Sequence, residues 1–104
     1  MLKIQNFKKD DIVSVKLMNG EEVIVKLGEV TDTTYEFIKP LVLSIGHQGA
    51  ALTSYMITAK AESLRFVIDK EKIIAMAEVQ SEIESEYTKA TTGLVTASAG
   101  KIIQ

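Results

Sequence analysis

Residues 12–27, IVSVKLMNGEEVIVKL, alternate apolar and polar side chains on both sides of Asn19-Gly20, the pattern of two strands joined by a tight turn. A two-residue primed turn would set Val15 opposite Ile24 and Leu17 opposite Glu22, mixing apolar and charged residues on each face. A three-residue loop of Met18, Asn19 and Gly20, with Gly20 left-handed after a type I turn, instead pairs Val15 with Val23 and Val13 with Val25. One face is then continuously apolar, so burial selects the bulged turn. A bulge also adds twist, which suits a sheet that must curl.

Turn residues follow in VTDTT (30–34), and YEFIKPLVLSI (35–45) reads as a third strand with Tyr35, Phe37, Leu41, Leu43 and Ile45 expected on one side. Pro40 has no N–H to give to a ladder, so the strand is expected to bend there. GHQGA (46–50) reads as a loop. From Leu52 to Asp69 the alternation resumes as a fourth strand, kinked or turned at KAES (60–63). DKEK (69–72) is a turn, and IIAMAEV (73–79) is a fifth strand. Beyond it, Ser81 followed by Glu84 has the form of a capping box, with Ile83, Tyr87 and Ala90 at helical spacing. The tail TTGLVTASAGKIIQ (91–104) has no strong periodicity and is expected to order only against a neighbour, if at all.

Five short strands with bulge and bend signals predict an all-β fold: a strongly bent, five-stranded antiparallel barrel over residues 1–80, with a short helix and tail over 81–104. At 104 residues the chain is one domain. A domain of this size buries about 65% of its unfolded surface, enough for a core without staples. The absence of cysteine excludes disulfides and thiolate metal sites and fits a reducing compartment. No apolar run has signal-peptide or membrane-spanning length, so the expectation is a soluble, cytoplasmic protein with no membrane partner. Twelve basic and fourteen acidic residues give a net charge of −2, so any polyanion must find a local patch.

Little in the sequence points to catalysis. His47 is the only histidine and has no second ligand beside it, so no metal site is expected. Ser44, Ser54 and Ser63 lack an elbow motif or a paired acid and base, and neither enzyme activity nor a cofactor is expected. The acidic run EVQSEIESEY (78–87) reads as the wet face of a helix, and Lys8 and Lys9 are offset by Asp10 and Asp11. Tyr35 could stack on a base, and Lys70 and Lys72 could form a phosphate-binding annulus if the turn carrying them repeats around an assembly. The outer strands FVID (66–69) and IIAMAEV have few charges to deter pairing, so association through strand edges is expected.

Val13, Val15, Leu17, Gly20, Val23, Val25 and Leu27 resemble the first motif of the Sm-like family, including its Hfq-type members, and IDKEKI (68–73) is similar to the second. The chain is similar also to short Sm-like proteins of bacteriophages of cyanobacteria. The resemblance spans Ile12 to Val79 and implies a bent SH3-type barrel. It further implies a homo-oligomeric ring of roughly five to seven copies closed by rotation, joined through Phe66, Val67, Ile68, Ile74 and Met76. Single-stranded RNA is the implied ligand, with Thr33, Tyr35, Lys70 and Lys72 as the candidate contacts in a diverged pocket: Thr31, Thr33, Thr34 and Tyr35 fall at the base-reading turn. Asp69 stands at the place of the pocket's arginine, where a carboxylate repels phosphate. The alternative expectation is a scaffolding ring that captures a protein through its C-terminal segment.

Overall fold

The computed structural model describes residues 6–92. Strands β1 (Ile12–Leu17) and β2 (Glu22–Val30) pair in the register that burial demands, Val15 with Val23 and Val13 with Val25. Gly20 takes φ +92°, its N–H donates to Leu17 O at 2.9 Å, and the Leu17 N–H donates to Glu21 O at 2.8 Å, which closes the three-residue loop. Val13, Val15, Leu17, Val23, Val25 and Leu27 enter one core with Phe37, while Ile24 faces the opposite side. β2 is thus buried on both faces.

β3 (Thr34–Gly46) does bend rather than end. Lys39 sits at φ +49° and Pro40 follows it, so two residues of β3 stand opposite Val25 alone, between the pairs Ile24–Leu41 and Lys26–Ile38. The insertion changes parity. Tyr35, Phe37 and Val42 pack in the first core, whereas Leu41 crosses to the second, and Leu43 and Ile45 lie exposed beyond it. The expectation that Tyr35, Phe37, Leu41, Leu43 and Ile45 share one side is corrected by this extra residue at the bend.

The same bend corrects the strand count from five to six. The two halves of β3 diverge, and a single strand over 52–69 could not follow both. β4 (Gly49–Ser54) pairs with the second half and β5 (Arg65–Asp69) with the first. The Tyr55 N–H donates to Pro40 O at 3.0 Å and the Lys39 N–H to Leu64 O at 2.8 Å, so residues 55–64 leave and rejoin β3 on either side of the bend. A 3₁₀ turn, Lys70–Lys72, leads into β6 (Ile73–Glu78), which pairs with β1. The sheet runs β4-β3-β2-β1-β6, with β5 also on β3.

A closed barrel is not formed, because β5 and β6 share no ladder. The turn between them explains why. Its start is tied to the β2–β3 turn by the Lys70 N–H donating to Thr33 O at 2.8 Å, and its end to the β1–β2 loop by the Met18 N–H donating to Lys72 O at 2.8 Å. Phe66, Ile68 and Met76 still line the first core from both margins, so the sheet curls around it without zipping shut.

Helix α1 (Ser81–Thr92) covers the second core. The Glu84 N–H donates to Gln80 O at 2.9 Å, which makes Gln80 rather than Ser81 the N-cap residue and moves the helix start one residue upstream of the capping-box expectation. Its buried residue is Tyr87, 2% exposed. The bend leaves the Lys26 N–H without a strand partner, and that N–H donates to the Tyr87 hydroxyl at 3.0 Å. The hydroxyl in turn lies 2.8 Å from Ile38 O and 3.0 Å from Lys39 O, which share its one proton. The Lys39 ammonium closes the clamp by donating to Thr91 O at 3.0 Å, near the helix C-terminus. The helix is therefore part of the fold rather than an appendage to it. The tail over 93–104 lies outside the described residues.

A second bulge sits at Gly28 and Glu29, which together face Glu36 between the pairs Leu27–Phe37 and Val30–Tyr35. One Glu36 oxygen accepts the Glu29 N–H at 3.0 Å and the other accepts Arg65 Nε–H at 2.8 Å. A Cβ on residue 28 would run into that carboxylate and approach Ile38 Cδ1 to 3.1 Å.

Two outcomes are expected. Tyr87→Phe keeps the ring but strands the Lys26 N–H and two carbonyls, and should cost about 1–3 kcal/mol in urea unfolding. Burial pushes the Tyr87 hydroxyl up to about 12, whereas in an unfolded chain a tyrosine titrates near 10. Because the folded state holds this proton longer, its stabilisation is complete below about pH 10 and lost as pH rises towards 12; the Phe variant should lack this share of the alkaline loss. Gly28→Ala should lower the urea midpoint by driving Glu36 off the Glu29 N–H and Arg65. In a Glu36→Ala background the same change should cost less, which a double-mutant cycle will measure.

Candidate nucleic-acid interface

The turn between β2 and β3 is fixed by threonine hydroxyls. Thr31 Oγ1 accepts the Thr34 N–H at 2.9 Å and the Thr33 N–H at 3.3 Å, and the Thr31 N–H donates to Thr34 O at 3.0 Å. This presents Thr33 O to the Lys70 N–H, which docks the β5–β6 turn against the β2–β3 turn. Two loops distant in sequence thus meet at one end of the sheet.

Thr33, Tyr35 and Lys70 are brought together by this docking. The Lys70 ammonium lies 4.8 Å from the Tyr35 ring centroid, within cation–π range. Tyr35 is half-buried, packs against the first core and pairs with Ile68 across the β3–β5 ladder. Its ring is therefore anchored below and covered by a cation, and a base stacking on that face would first displace the ammonium. Lys72 stands at the far end of the 3₁₀ turn, tied through its carbonyl to Met18 and not to the trio. Among the described residues neither Lys70 nor Lys72 joins an ion pair; Lys72 is exposed, while Lys70 is half-buried against Tyr35. Asp69 is exposed opposite Thr34, directly before Lys70, and weakens the local positive field.

The residues expected at a subunit interface divide into two groups. Phe66, Ile68 and Met76 turn inward, with Phe66 tilted against Phe37 and Tyr55 at ring separations of 5.9 and 6.2 Å. Val67 and Ile74 are exposed, 63% and 60%. Backbone direction can be followed from the neighbouring bonds. Leu64 O and the Lys70 N–H face β3, so alternation turns the amides of Arg65, Val67 and Asp69 to the open side of β5. The Leu17 N–H faces β2, which turns Ser14 and Lys16 towards their partners Ala77 and Ala75 and leaves the amides of Ile74, Met76 and Glu78 pointing outward from β6. Among the described residues, both margins present unpaired backbone donors and acceptors.

Sequence reasoning missed a charge ladder along one face. Lys9 Nζ meets Glu29 at 2.9 Å, and Arg65 meets Glu36 at 2.8 Å beside it. The Glu29 N–H, and after it the Arg65 guanidinium, hold the Glu36 carboxyl below its ordinary range, while Glu29 raises Lys9. The bulge that aligns these groups has no short-range signal beyond Gly28. His47 is exposed at the β3–β4 turn, and no group of three His, Cys, Asp or Glu able to hold a metal occurs among the described residues. No helix among them is long and apolar enough to cross a membrane. Comparison of the chain with protein-family models and with curated proteins finds no match.

Proposed function

We propose that this chain is the protomer of an Sm-like ring that binds single-stranded RNA at the paired turns. The reading is carried by one observation: Thr33, Tyr35 and Lys70, an acceptor, an aromatic face and a cation, converge from two separate turns at the end of a sheet whose β5 and β6 margins are both open. Pairing of the outward amides of Arg65, Val67 and Asp69 with those of Ile74, Met76 and Glu78 of the next copy is head-to-tail and closes by rotation. Each copy then adds Lys70 and Lys72 to a common rim. Each copy carries a net charge of −2, but repetition concentrates these lysines at one rim, and phosphate contacts act through local cations. Tyr35 serves as the lower platform for a base once its ammonium moves to phosphate.

A second reading, a ring that scaffolds a protein partner, draws on α1. Tyr87 fixes the helix to the core while Glu82, Glu84 and Glu86 stay exposed along it, an acidic surface suited to a basic partner.

Titration of short U-rich and A-rich oligonucleotides at low salt distinguishes the two. Binding should weaken steeply with added salt, and Lys70→Ala with Lys72→Ala should reduce affinity at least tenfold while the oligomer's mass is unchanged. No binding at low salt overturns the RNA reading.

A further inference from the structure

The ladder between β2 and β3 ends at Val23–Val42, and beyond it, among the described residues, β3 pairs with β4 alone, through Leu43–Leu52, Ser44–Ala51, Ile45–Ala50 and Gly46–Gly49. This two-stranded ribbon projects from the sheet. A lone ribbon is marginal in water, and this one is also apolar: directly opposed residues share a face, which puts Leu43, Ile45, Ala50 and Leu52 on one side. Leu52 packs into the second core, but Leu43 is 37% and Ile45 78% exposed. From Leu43 to Thr53, LSIGHQGAALT, there is no Lys, Arg, Asp or Glu. Charges at an edge are the usual protection against strand pairing, and here there are none.

The open edge has a definite register. The Tyr55 N–H faces β3, so alternation turns Thr53 and Ala51 to β3 and leaves the amides of Ser54, Leu52 and Ala50 outward. Any antiparallel ladder through this edge must join these residues to outward residues of its mate. When the mate is the same edge related by a two-fold axis through Ala51, Ala50 meets the second copy's Leu52 and the reverse. Four backbone hydrogen bonds form, and Leu43, Ile45, Ala50 and Leu52 of both copies make one continuous apolar face. We propose that the β3–β4 ribbon is a self-association arm, pairing β4 to β4 of a second copy. A neutral edge admits a neutral mate, and its own two-fold image is neutral, of equal length and matched in hydrogen-bond phase. The contact is isologous and separate from the head-to-tail contact of β5 with β6.

Sedimentation of the full chain tests both contacts. Ile45→Lys with Ala50→Lys, at exposed sites that leave the β3–β4 ladder bonds in place, should halve the wild-type mass. An unchanged mass overturns the arm. Ile74→Pro removes only an outward β6 donor and should open the ring; if mass is indifferent to Ile74→Pro yet halved by the lysine pair, the arm stands and the ring fails. Hydrogen exchange on the wild-type protein needs no variant. The Ala50 and Leu52 amides should be protected at high protein concentration and lose protection on dilution, whereas exchange at the rate of a bare edge throughout overturns the arm and leaves that edge to a foreign strand.

Discussion

A single phenol holds this structure in its bent form. Where β3 turns at Lys39 and Pro40, the β2–β3 ladder loses its register, and a buried backbone group without a partner costs as much as a lost hydrogen bond. The Tyr87 hydroxyl fills the gap by accepting from Lys26 and sharing its one proton between the Ile38 and Lys39 carbonyls. Three long-range features depend on that bend: the parity change that sends Leu41 to the second core, the division of the partner strand into β4 and β5, and the seating of α1. The Lys39 ammonium on Thr91 O ties the helix to the very residue whose left-handed φ makes the bend.

Much of the local structure was legible in the sequence, and for a physical reason. The β1–β2 turn is decided by burial parity, which sequence displays directly, so Val15–Val23 and Gly20 follow from the pattern alone. The bend at Pro40 is legible because proline lacks a donor. What the bend does to the residues after it is not legible, since parity depends on how many residues bulge opposite Val25, a long-range count. For that reason the alternation puts Leu43 and Ile45 on the side of Tyr35 and Phe37, and shows one strand where β4 and β5 are two. Tyr87 stands at helical spacing in the sequence, but its hydroxyl's role depends on a mismatch about fifty to sixty residues away.

The candidate site shows the same division. Tyr35 and Lys70 stand out as residue types, and Thr33 belongs to a turn visible in sequence. Their convergence required two loops to dock through one backbone hydrogen bond, Lys70 to Thr33. That docking also covers the tyrosine with the lysine, a coupling in which the cation shields the aromatic face until an anion draws it away. Lys72, two residues on, is held through its carbonyl by the Met18 N–H and stands apart from the Tyr35 ring.

The order of strands in space differs from their order along the chain in one place that matters for biosynthesis. β1 and β2 are neighbours in sequence, but β1's second partner is β6, whose residues are made some sixty positions later. Local contacts form quickly and distant ones wait for loop closure. Throughout that interval a nascent chain emerging from the ribosome carries Ser14 and Lys16 with bare amides on an otherwise valine-rich strand. The lysine at position 16, which points to solvent once β6 has arrived, is the one charge on β1 that guards this strand against a premature mate.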